Sequence, residues 1–148
     1  MTVEPSLYVA SPAELDVPTL YALLRLRVDV FVVEQHCPYR EIDGRDLEPG
    51  TRHLWLGPSR AEPLAYLRLL AEPDGAGRIG RVCTVVTARG AGLSALLMAA
   101  ALDLIGERTP CVLDAQSYLV GFYRRFGFAA GGEEYVEDGI AHVPMRRG

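Results

Sequence analysis

The stretch from Arg78 to Leu104, RIGRVCTVVTARGAGLSALLMAAALDL, changes character twice, and the rest of the chain is read from it. Ile79 to Val86 is dense in β-branched residues, the composition of a strand. Thr87 to Ser94 gathers Arg89, Gly90, Ala91, Gly92, Leu93 and Ser94 into a connection where glycine lets backbone approach a ligand closely. Leu93, Leu96, Leu97, Ala100 and Leu104 then recur at helical spacing. A helix that starts at once after such a loop aims its unpaired N–H groups and the positive end of its dipole at whatever sits there. Backbone alone can hold phosphate in this way, so a phosphate-bearing cofactor is expected at residues 89–94.

On the C-terminal side, Thr109-Pro110 stops the helix and Cys111 to Asp114 has the character of a short buried strand. Strand, helix and strand with so short a return form a right-handed crossover, which predicts a parallel pairing with or near the glycine-loop strand. Tyr118 to Arg125 has room for about two helical turns and is ended by Gly127. Ala129 to Val136 and Ile140 to Met145 flank Asp138-Gly139, a tight hairpin signal. On the N-terminal side, Ser6 to Ala10 predicts a strand, and Ser11 and Glu14 have the spacing of a capping box. Asp16 and Pro18 open a helix whose stripe is Leu20, Leu23, Leu24, Val28 and Phe31, with Arg25, Arg27 and Asp29 mostly off it. Gln35 to Gly50 has prolines, glycines and carboxylates with no sustained period, an acidic excursion of the kind that is often functional. Arg52 to Leu56 and Leu64 to Leu70 read as two strands, with Tyr66, Arg68 and Leu70 on one face and Ala65, Leu67 and Leu69 on the other.

With 148 residues, 49% hydrophobic and 23% charged, the chain suffices for one core and is too short for two, so residues 1–148 are expected to form one domain. The net charge of -4 argues against a nucleic-acid surface. The longest apolar run, Ala95 to Leu102, is far short of the roughly 20 residues of a membrane span, so no membrane partner is expected. MTVEPSLYVA lacks the basic region and apolar core of a secretion signal. Cys37, Cys83 and Cys111 are odd in number and scattered, which fits reduced thiols and a cytoplasmic setting. His36, Cys37 and Glu34 are one local cluster without a second His or Cys pair, so no metal site is expected. An exposed sheet edge or the terminal hairpin could pair with a second copy, which leaves a homodimer open.

Gly90-Ala91-Gly92-Leu93-Ser94-Ala95 also fits G-x-G-x-x-A, with Asp114 placed where a ribose-binding acid would follow. Against a dinucleotide oxidoreductase stands the single crossover unit, set in mid-chain and followed by an antiparallel hairpin. The loop is joined by Tyr123-Arg124-Arg125-Phe126-Gly127-Phe128, and the two together resemble the GNAT superfamily of N-acetyltransferases, whose R/Q-x-x-G-x-G/A loop follows a splayed central strand and whose later Tyr-x-x-x-Gly-Phe closes a short helix. LYALLRLRVDVFVVEQHCPYREIDGRDL and YVEDGIAHVPM are similar to the ElaA-like subgroup, so the resemblance runs from Leu20 to Met145. Ser94 departs from the Gly or Ala usual at its position, though serine is small enough for pyrophosphate to approach.

The resemblance implies an α/β fold with a mixed, mostly antiparallel sheet, one splayed parallel strand pair and helices on both faces. It implies acetyl-CoA as cosubstrate, held by the loop N–H groups, with the pantetheine arm along Val82, Cys83 and Thr84. A backbone N–H there can polarise the thioester carbonyl, Tyr123 matches the family's general acid, and a small-molecule or peptide amine attacks directly in a ternary complex. A non-enzymatic acyl-CoA sensor is the other use such a loop could serve. For the acceptor side, Glu34 follows the apolar VFVV run, where partial desolvation would raise its pKa and suit a base. Arg27, Asp43 and Gln116 are expected beside it, and the five carboxylates from Glu34 to Glu48 are expected to favour a cationic amine.

Overall fold

The computed structural model describes residues 4–148, so the reading of the N-terminus as no secretion signal falls partly outside the described residues. The elements in order are β1 (Ser6–Ala10), α1 (Val17–Val28), β2 (Arg52–Gly57), β3 (Ala65–Ala71), β4 (Gly77–Thr84), α2 (Leu93–Ile105), β5 (Cys111–Gln116), α3 (Val120–Arg124), β6 (Ala129–Ala130), β7 (Tyr135–Glu137) and β8 (Ile140–Arg147). The strands share one sheet in the order β1-β2-β3-β4-β5-β8-β6, with β7 also paired to β8. Every pairing is antiparallel except β4 with β5, which follows from the crossover through α2. Among the described residues no helix is long and apolar enough to cross a membrane.

Strand alternation sorts the side chains onto two faces. Leu54, Leu67, Leu69, Ile79, Leu113, Ala115 and Met145 lie in one apolar cluster with Leu93, Leu97, Met98 and Ala101 of α2. Burial of each such leucine stabilises the fold by roughly 1.5–3 kcal/mol. Trp55, Tyr66 and Cys83 point to the opposite face, against Leu23, Leu26 and Val30 of α1 and the turn after it. The alternation expected for β3 is therefore the one observed.

Asp16 caps α1 by accepting from the Thr19 N–H at 3.0 Å. The helix does not stop at Val28 but loosens into a π-helical turn, Asp29–Glu34. The buried side of α1 is Thr19, Leu23, Leu26 and Arg27, so the face is rotated from the expected stripe and Arg27 lies inside. The terminal hairpin turns at Asp138 (φ 51°) and Gly139 (φ 76°), the two left-handed residues of a primed turn. Its first strand is shorter than expected: β6 and β7 are separate pieces, and their registers against β8 differ by two residues across Gly131-Gly132.

Candidate active site

β4 and β5 pair only at Gly77–Cys111 and Arg78–Val112 and then diverge. Among the described residues the β5-facing edge of β4 has no strand partner from Ile79 onward, and the strands open a cleft of about 1180 Å³. A bulge helps to aim this edge. One extra residue sits on β4 between the pairs Tyr66–Cys83 and Arg68–Gly80, and Arg81 there has φ +56°, a left-handed backbone that non-glycine residues rarely adopt. The Arg81 side chain reaches the excursion after α1: Nε pairs with Glu41 Oε2 at 2.8 Å, and the guanidinium lies over the Tyr39 ring.

At the far end of β4 the chain enters the glycine loop of residues 89–94. Gly90 (φ +85°) and Gly92 (φ +77°) are both left-handed, and a Cβ added at either would meet nothing within 4 Å. Gly92 is the N-cap of α2 and provides no side-chain cap, while Leu96 N–H is the first to bond back, to Gly92 O at 3.2 Å. The N–H groups of Leu93, Ser94 and Ala95 thus stand at an open helix end lining the cleft. The loop is moored to the strand twice: Thr84 Oγ1 and Ser94 Oγ are 3.0 Å apart, and Arg89 Nε donates to the Thr84 carbonyl at 3.0 Å.

Tyr123 lies in α3 and is 6% exposed, packed edge-on against Phe122 and Phe128 while lining the cleft. Burial pushes its hydroxyl up to about 12, so it keeps its proton at neutral pH. Burial likewise pushes the Cys83 thiol up to about 12, which leaves it a poor nucleophile. Gln116, at the end of β5, lines the cleft, and its Nε2 lies 3.4 Å from Gln35 Oε1.

Two expectations for the acceptor side are corrected. Glu34 is exposed, not desolvated, and it grips Arg89 with both oxygens at 2.7 Å. That charge-assisted bond, with Coulomb attraction from Arg89, lowers its pKa and makes it a poorer base. Arg27 is fully buried and cannot touch an acceptor: Nε pairs with Glu41 Oε1 at 2.7 Å and Nη1 with Asp46 Oδ1 at 2.5 Å. The wider expectation of an acidic excess also fails. Asp43 and Asp46 are bound by Arg68, Glu41 and Asp43 by Arg81, Glu48 and Glu72 by Arg45. Asp43 still lines the cleft; burial alone would raise its carboxyl, but Arg68, the Arg45 N–H and Arg81 hold it at about 2.

Sequence reasoning missed how these groups interlock. Glu41, Asp43 and Asp46 were visible as carboxylates, but their partners come from α1, β3 and β4, 14 to 40 residues away. His53 and Tyr66 belong to the same interior. His53 Nε2 is 3.0 Å from the Asp46 carbonyl, an acceptor only, so Nε2 carries the proton and Nδ1 accepts from the Tyr66 hydroxyl at 2.6 Å. The signal that could have flagged the network was Arg27 and Arg68 standing inside otherwise apolar helix and strand patterns.

A single crossover whose strands splay over an uncapped helix end, closed by a short helix with a buried tyrosine, defines a GNAT-type acyltransferase fold. The chain belongs to that family: residues 24–147 match the Acetyltransferase (GNAT) domain. Within it the chain is ElaA-like. It is 44% identical to Protein ElaA of Escherichia coli over 140 residues, covering 91% of each, and the crystal structure of that ElaA superposes with a TM-score of 0.90 over 97% of this chain and 99% of that one. A UPF0039 protein of Mycobacterium tuberculosis is 52% identical over 137 residues, 90% of this chain and 87% of that protein. An acyl-CoA N-acyltransferase from Pseudomonas aeruginosa matches at 44% identity with a TM-score of 0.90, over 97% and 99% of the two chains. The fold binds acyl-CoA in general and its enzymes use amine acceptors.

Proposed function

We propose that the chain transfers an acetyl group from acetyl-CoA to a primary amine by direct attack within a ternary complex. The observation that carries this is the uncapped N-terminus of α2, opening through Gly90 and Gly92 onto the cleft where β4 has lost its partner. Residues 89–94 hold the pyrophosphate with backbone N–H groups, and the free edge of β4 at Val82, Cys83 and Thr84 takes the pantetheine as an added strand. A backbone N–H there stabilises the oxyanion. Tyr123 protonates the departing thiolate, a role its raised pKa suits. Cys83 stays a thiol, which favours direct transfer over an acyl-enzyme. The acceptor enters on the α1 side of the sheet beside Gln116 and Asp43. Residues 1–148 act as one domain, and the three unpaired cysteines suit a reducing cytoplasm.

A thermal-shift comparison tests the cofactor. Acetyl-CoA at about 100 times its dissociation constant is expected to stabilise the fold by roughly 2.7 kcal/mol, and NAD to do little. A clear shift with NAD and none with acetyl-CoA or CoA overturns the assignment. A thiol-release screen over amines, with acidic and hydroxyl compounds as controls, then identifies the acceptor class.

A further inference from the structure

The transfer needs a base that Glu34 does not provide, and the acceptor face holds another ionisable group. His142 of β8 lies opposite Gln116 of β5 and Tyr135 of β7, and it lines the cleft. Its neighbours Val143 and Met145 pack with the α2-side core, Met145 within it, so alternation sends His142 to the other face. The ring stacks on Tyr135 with centroids 5.5 Å apart and 18° between planes. Nδ1 lies 2.8 Å from the Ile140 carbonyl oxygen. A carbonyl only accepts, so Nδ1 carries the proton, and in the neutral ring Nε2 is left with its lone pair. No described residue donates to Nε2.

We propose that His142 is the general base that takes a proton from the acceptor ammonium, an inference that rests on the acetyl-CoA and amine reading above. The other groups around it are occupied or differently placed. Asp114 of β5 and Glu72 are paired with Arg78, Glu34 is held by Arg89, and the Cys37 thiol leans on the Gln35 and Asp138 carbonyls. Burial, then Asp114, pushes the Tyr135 hydroxyl up to about 12, while Glu137 and Asp138 are exposed at the hairpin tip. Nε2 therefore has both a fixed tautomer and a supporting ring.

The protons balance as follows. The ammonium gives one proton to Nε2, the free nitrogen forms the C–N bond, and collapse of the tetrahedral intermediate breaks C–S. Sulfur takes the Tyr123 proton, and the second proton shed by nitrogen returns the tyrosinate to phenol through solvent. One proton is released overall, from His142. The two transfers then occur on opposite faces of the sheet, since Tyr123 packs with the α2-side core.

His142→Asn keeps a donor where Nδ1 stands and removes Nε2, and His142→Gln is the second variant should the first misfold. With an amine found by the thiol-release screen, turnover at pH 7 is expected to fall by about 10² to 10³. The deficit should shrink roughly tenfold per pH unit as free amine replaces ammonium, until pH passes the amine's own pKa. The acetyl-CoA thermal shift should persist in both variants. A pH profile unchanged from the wild type overturns the base alone. Loss of the acetyl-CoA shift in both variants assigns the histidine a structural role and also overturns it. A wild-type protein that is stabilised by acetyl-CoA but releases thiol with no primary amine defeats the acceptor reading itself, and the base with it.

Discussion

Around the glycine loop of residues 89–94, the helix end has no side-chain cap and the two left-handed glycines have open space where a Cβ would be. Across the cleft, in residues 34–48, every carboxylate is answered by an arginine, and Arg27 at the centre is fully buried. One wall leaves polar groups unspent for a ligand; the other spends nearly all of them on the fold. Composition alone suggests the reverse, because the loop carries little charge and residues 34–48 carry five carboxylates. Unpartnered groups mark a binding wall better than charged ones do. A buried ion pair stabilises little against an apolar equivalent, yet losing one member of it is costly.

That contrast can be broken at several points. The largest effect is expected from Tyr123→Phe, which keeps the ring and removes the proton donor: turnover should drop by roughly 10² to 10⁴ with the acetyl-CoA shift retained. Equal turnover on a verified amine would show that the thiolate leaves without this help. On the opposite wall, Arg27→Met should lower unfolding free energy by about 3–5 kcal/mol, because Glu41 and Asp46 lose their innermost cation. Urea denaturation measures it, and a loss below about 1 kcal/mol would mean the excursion is held mainly by Arg68 and Arg81.

Gly92→Glu puts bulk and negative charge where pyrophosphate approaches and should remove the roughly 2.7 kcal/mol shift expected at about 100 times the dissociation constant. Its circular dichroism should stay near wild type, since a Cβ meets nothing there and only the left-handed backbone opposes it. Retained binding would make the loop structural. The smallest effect is acid sensitivity at His53. Burial lowers its folded pKa below 6.5, so protonation favours the unfolded chain. Its contribution should be complete above pH 6.5 and decline as pH falls toward the folded value. Wild-type protein should therefore lose stability between pH 7 and pH 5 by more than His53→Gln does, and parallel losses would place the acid sensitivity elsewhere.

The loop, the crossover and the hairpin could be read from sequence because each is written in residues adjacent along the chain. Gly90, Gly92 and the helix spacing behind them are local, and so is Asp138-Gly139 at its turn. The split of the first hairpin strand was not visible: Val136 and Ala129 share strand composition, and only pairing against β8 shows the two-residue offset. The charges of residues 34–48 are hard to read from sequence because their partners are remote. Nothing near Glu34 in sequence announces Arg89, 55 residues on. By sequence Arg27 reads as lying off the helix face because an arginine is rarely buried, and the rule fails where two carboxylates, Glu41 and Asp46, arrive from the loop beyond.

The anchors of the excursion also impose an order of assembly. Arg68 and Arg81 stand on β3 and β4, so Glu41, Asp43 and Asp46 have no complete set of partners until that hairpin is in register and its bulge has turned Arg81 toward them. Residues 35–50 should therefore settle late in folding, after the sheet whose central strands they tie to α1, and loosen before it does. The excursion becomes a separately exchanging unit of the molecule, one whose amides should take up deuterium ahead of those in β3 and β4 while the strand that leads into the glycine loop is still intact.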